Sequence, residues 1–96
     1  MSFRFLAPAQ TELLEAITYY AEINAELGVR FEQALARAVR AAAAHPERGA
    51  PRSRNTRRWL VQGFPFGVIY REVAGEIVVV AVAHQRKQPS YWERRL

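Results

Sequence analysis

The sequence predicts an α+β fold: an N-terminal strand, a two-helix hairpin, a three-stranded antiparallel meander (β-α-α-β-β-β), and a short C-terminal tail. Three observations carry this. Apolar residues recur with a helical period between Ala9 and Ala44. An unbroken apolar run, Ile77 to Ala83, is too short for a helix that pays its own way and reads as a strand covered on both faces. Turn residues at Gly63 to Pro65 and at Ala74-Gly75-Glu76 cut the second half into strand-length pieces.

In chain order, Phe3, Phe5 and Ala7 alternate with Arg4 and Leu6, the period of a half-buried strand. Pro8 falls where a first helical turn tolerates it. Leu13, Ile17, Tyr20 and Leu27, with Leu14, Ala21 and Ile23 alongside, set the stripe of a first helix. Glu12, Glu15, Glu22 and Glu26 fall mostly off that stripe, and Gly28 is expected to end the helix as a C′ residue. Phe31, Leu35, Ala38, Val39 and Ala42 form the stripe of a second helix, with Arg30, Arg37 and Arg40 directed to solvent. That helix ends by His45, because the residue before Pro46 is pushed out of the helical region. Residues 46–56 read as a polar loop rich in Pro and Arg. Three strands follow, the last two joined by a three-residue connection at Ala74-Gly75-Glu76. Pro89 opens a tail with room for one helical turn.

The length of 96 residues, with neither repeats nor a linker, makes residues 1–96 one domain with a modest core. Half the residues are apolar, so the chain has the means to fold. The absence of cysteine excludes disulfides and thiolate-held metals. The two histidines, His45 and His84, have no carboxylate at ligand spacing, so neither a metal nor a cofactor is expected. No secretory h-region follows Met1 and no apolar run reaches membrane-spanning length, so a cytoplasmic protein without membrane association is expected.

Charge is divided unevenly. Up to Ala50 there are five Arg against six Glu, a net of −1; from Pro51 onward there are eight Arg and one Lys against three Glu, a net of +6. Arginine pairs bidentately with carboxylate and phosphate and stacks on aromatic rings, so the second half points to an acidic partner, protein or nucleic acid. Neither an RNP-type aromatic motif nor a helix-turn-helix accompanies it. Nucleophilic catalysis has little to draw on, since the chain has no Cys and no Asp, and Ser53 and Ser90 stand in polar segments.

The order of motifs carries more information than any one of them. Glu15-Ala16 and Tyr19-Tyr20 are followed by Gly28 and Phe31, then by Phe64-Pro65-Phe66 running into Tyr70-Arg71. Ala83-His84 then precedes Arg86, Pro89, Tyr91 and Trp92. Over nearly the whole chain this pattern resembles the ParE/RelE superfamily of bacterial toxin–antitoxin toxins, most closely the ParE-like, plasmid-stabilisation branch. The resemblance implies the predicted β-α-α-β-β-β arrangement and a type II toxin that forms a hetero-oligomer with a cognate antitoxin. On the ParE branch the target is DNA gyrase, inhibited by protein contact without chemistry.

The RelE-like alternative is a ribosome-dependent mRNA endonuclease, which needs a base, an acid and cations for the phosphorane. Arg57, Arg58, Arg71, His84, Arg86 and Tyr91 are the residues available for it, with His84, Arg86 and Tyr91 the leading catalytic set. RelE-like toxins carry a further arginine inside the middle strand, where this chain has Phe66-Gly67-Val68. A third reading is a non-toxic binding module. For target or antitoxin contact the candidates are Arg57, Arg58, Trp59, Arg71, Arg86, Lys87, Tyr91, Trp92, Arg94 and Arg95, because Trp, Tyr and Arg dominate interface hot spots. Large aromatics at strand ends also commonly finish a core, which is the competing role for Trp59, Tyr91 and Trp92.

Overall fold

Two helices lie on one face of a five-stranded sheet in a computed structural model that describes residues 1–96. The elements are β1 (Phe3–Phe5), α1 (Ala7–Ile23), α2 (Ala25–Ala44), β2 (Ala50–Arg52), β3 (Thr56–Leu60), β4 (Phe66–Val73) and β5 (Glu76–His84). The sheet order is β1-β5-β4-β3-β2, with β1 parallel to β5 and every other pair antiparallel. The α+β class and the element order agree with the sequence prediction. The sheet is wider than predicted by one strand, because Ala50–Arg52 of the expected polar loop pairs with Thr56–Arg58. Arg54 and Asn55 both adopt positive φ in the tight turn between them, a conformation that Asn tolerates and period-2 patterning does not reveal.

Gly28 does not end the first helix. That helix stops at Ile23, and Asn24 caps α2, its Oδ1 accepting from the Glu26 and Leu27 N–H groups at 2.8 and 3.3 Å. Gly28 lies buried in the second turn of α2, where a Cβ would come within 2.8 Å of the Ala21 Cβ. Its role is close helix approach, so the glycine that resembled punctuation is a packing residue. The β4–β5 connection is also tighter than expected. Val73 pairs with Glu76, leaving Ala74 (φ 52°) and Gly75 (φ 79°) as a two-residue hairpin turn.

The larger core fills the space between the helices and the sheet. Phe31 is fully buried, with Phe64 and Phe66 at ring-centroid distances of 5.1 and 5.0 Å and Tyr20 at 5.1 Å. The Phe64-Pro65-Phe66 motif is thus the aromatic floor beneath the helical hairpin. A second, smaller cluster of Ile69, Val80, Ala81 and Trp92 covers the opposite face of the sheet. It arises because β5 carries one extra residue opposite the Ile69/Tyr70 step, a bulge that aims Val80 and Ala81 at the same side. The run Ile77–Val82 is buried throughout, as its lack of alternation predicts, with helices on one face and the C-terminal tail on the other. No helix is long and apolar enough to cross a membrane.

Candidate functional site

The tail after β5 folds back across the sheet face that the helices leave open. Trp92, only 4% exposed, is its anchor, and a short 3₁₀ turn at Glu93–Arg95 brings Arg95 to the edge of β5. That edge is open because β1 ends at Phe5 and the chain turns away into α1. Two side chains complete the hydrogen bonding there. The Val82 N–H donates to Glu12 Oε1 at 3.0 Å, and an Arg95 guanidinium nitrogen donates to the Val80 carbonyl at 3.0 Å. Arg95 also donates to both Glu12 oxygens at 2.8 and 2.9 Å, and the Tyr91 hydroxyl donates to Glu12 Oε2 at 2.6 Å. Glu12 therefore joins α1, the edge of β5 and the tail. Burial by itself raises the Glu12 carboxyl, but the bonds from Arg95, Tyr91 and the Val82 N–H outweigh it and leave the group below its ordinary value. The Tyr91 hydroxyl is driven strongly upward by burial and by the Glu12 carboxylate. In this arrangement its proton is directed at Glu12.

Sequence periodicity put Glu12 among residues turned from the core, and the structure corrects that. Glu12 lies three residues after buried Ala9 and four before buried Ala16, so it shares their face of α1. The spacing was legible; the unpaired strand edge that gives a carboxylate a reason to be there was not.

Beside the tail lies a groove of about 410 Å³. Its lining includes Ile69, Ala83 and Trp92 together with Arg52, Arg58 and Lys87, and the strand-end residue His84. Register explains the arginines' place in it. Arg58 pairs with Ile69 and with Ala50, so those three and Arg52, two residues on from Ala50, share one face of the sheet. Arg58 lies over Gly67, where a Cβ would meet its Nε at 2.5 Å; glycine in the middle strand makes space for a guanidinium from the next strand. His84 stacks edge-on against Phe66 at 5.0 Å, and its Nδ1 accepts the Arg86 N–H at 2.9 Å. Lys87 reaches over the Tyr91 ring, 5.6 Å from the centroid, while Arg95 approaches the same ring at 5.1 Å.

The remaining sequence candidates are dispersed. Arg57 and Trp59 face the helix side: Arg57 donates to the Gly49 carbonyl at 2.8 Å and Trp59 packs against the larger core. Arg71 shares the groove face but not its lining, and its Nε is buried without a hydrogen-bond partner. Arg86 and Arg94 are exposed. Of His84, Arg86 and Tyr91, the structure brings His84 and Tyr91 to the groove lining and leaves Arg86 outside it. The arrangement offers cations and an apolar floor, suited to holding an anion.

A family model described as the ParE toxin of the type II toxin–antitoxin system parDE matches residues 3–89. Among solved structures, the chain is similar to one described as the chromosomal ParDE TA system from P. aeruginosa, with a TM-score of 0.76 and 17% sequence identity over 88% of this chain and 95% of that one. At that identity the likeness speaks for the fold. No functionally curated protein matches. The matched span ends at Pro89, short of Tyr91, Trp92 and Arg95, and it does not favour the RelE-like alternative.

Proposed function

This chain belongs to the ParE toxin family of type II toxin–antitoxin systems, and from that premise we propose that it inhibits DNA gyrase by protein contact in the cytoplasm and is neutralised by a cognate antitoxin. The observation that carries the reading is uncompensated positive charge. The chain has 14 Lys and Arg, and only Arg4 and Arg95 stand in ion pairs, with Glu76 and Glu12. Arg86, Lys87 and Arg94 project from the exposed tail beside the cationic groove, on a surface that suits a target already engaged with polyanionic DNA.

An antitoxin has a different surface to use. Leu14, Tyr19 and Ile23 stand 55%, 61% and 62% exposed along α1, an apolar ridge beside a shallow depression that also contains Glu15 and Glu22. A segment that is disordered when free would fold along this ridge and stabilise the toxin by mass action.

The test is ATP-dependent supercoiling of a relaxed plasmid by gyrase with added purified chain. Inhibition, more cleaved DNA and relief by added salt are expected. Truncation after Pro89 is a poor probe, since it removes the buried Trp92 and the Arg95 anchor; the combined Arg86→Ala and Arg94→Ala substitutions alter charge on exposed side chains only. Full supercoiling at excess folded chain would exclude gyrase as the target.

A further inference from the structure

We propose that the cationic groove binds a single strand of nucleic acid through its phosphodiester backbone, an activity of the isolated chain that does not depend on gyrase being the target. Four observations support it. Arg52 and Arg58 from the sheet and Lys87 from the tail line a space of about 410 Å³, within the range of small-ligand pockets. No carboxylate lines that space; Glu93 stands at its rim, accepting the hydroxyl of the lining residue Ser53. Arg52, Arg58 and Lys87 have no ion-pair partner, so their charge is available. Arg71 continues the same sheet face two residues beyond Ile69, with its Nε buried and unpaired.

The lining favours a nucleic-acid strand over an acidic peptide. Pro51 and Pro89 give apolar surfaces beside the cationic side chains, against which a base can rest while phosphates are held. A peptide laid along this wall would need backbone partners from the edge strand β2. Pro51, at the centre of that three-residue strand, has no N–H to give. A pocket of this volume takes one unpaired nucleotide unit and has no room for a base pair.

The experiment is fluorescence anisotropy of a fluorescein-labelled 12-mer of deoxythymidine with the full chain across a range of salt concentrations. Binding is expected to weaken as salt rises, with a slope of log K on log salt of about −0.7 for each phosphate held. Arg52→Ala and Lys87→Ala alter exposed side chains, so folding is not at risk, and each should shrink that slope by about one contact. Arg58→Ala should weaken binding roughly tenfold, and Arg58→Lys should restore the slope without the full affinity, since it keeps the charge and loses the fork. Arg37→Ala, on the exposed face of α2, should change neither quantity. The proposal falls if the oligonucleotide does not bind at low salt or if Arg37→Ala costs as much as the groove variants. Equal competition by polyglutamate of matched charge, or equal affinity for a duplex 12-mer, would also overturn it.

Discussion

Replacing Glu12 by alanine should detach the C-terminal tail. The side chains of Glu12 and Arg95 are only 16% and 17% exposed, and the substitution leaves a guanidinium, the Tyr91 hydroxyl and the Val82 N–H without their acceptor. Breaking a fully buried pair costs about 3–5 kcal/mol; the remaining solvent access here lowers that to about 2–3 kcal/mol. For a chain of this size each kcal/mol moves the melting temperature by about 4–8 °C, so Glu12→Ala should melt roughly 10–20 °C below the parent. Trp92 reports the mechanism, because loss of the anchor exposes it and shifts its fluorescence to the red. The pH dependence has a definite sign. The native Glu12 carboxyl lies below its ordinary value, so its stabilisation is complete at neutral pH and is lost as pH falls through that depressed value. Glu12→Gln should cost about 1–2 kcal/mol at neutral pH and lose that acid-side slope. A Glu12→Ala protein that melts within 2 °C of the parent (well under ~1 kcal/mol), with Trp92 emission unchanged, would refute the reasoning.

Three further outcomes follow from the fold. Gly28→Ala gains about 1 kcal/mol of helix propensity but forces a methyl group against Ala21, and should be net destabilising by about 1–2 kcal/mol in urea unfolding. Tyr70→Phe removes a hydroxyl that accepts from the Gly49 N–H at 3.1 Å and donates to the Pro46 carbonyl at 2.9 Å; it should cost about 1–2 kcal/mol and speed hydrogen exchange at the Gly49 amide. Ala74→Asn places a residue tolerant of positive φ in the β4–β5 turn and should stabilise the chain by about 0.5–1 kcal/mol in the same unfolding assay.

Periodicity and turn chemistry determined the larger elements. The α2 stripe of Phe31, Leu35, Ala38, Val39 and Ala42, and the doubly covered strand at Ile77–Val82, were readable because each pattern reports the burial of its own side chains. The ordered series from Phe64-Pro65-Phe66 to Trp92 likewise pointed to the family. Gly28 was misread because local sequence cannot separate a helix stop from a close helix contact; the difference lies in Ala21, a residue of the neighbouring helix. The strand Ala50–Arg52 was missed because an edge strand three residues long has no period of its own and exists only through its partner. The groove and the Glu12 junction belong wholly to tertiary structure. Arg52 and Arg58 share a face because strand register aligns them, and Lys87 joins them because the tail folds back across that face. Glu12 and Arg95 lie 83 residues apart and are joined because β1 stops short and leaves the β5 backbone needing a donor and an acceptor. A sequence states which side chains seek burial; which polar groups must then satisfy one another is settled only when the chain has closed around them.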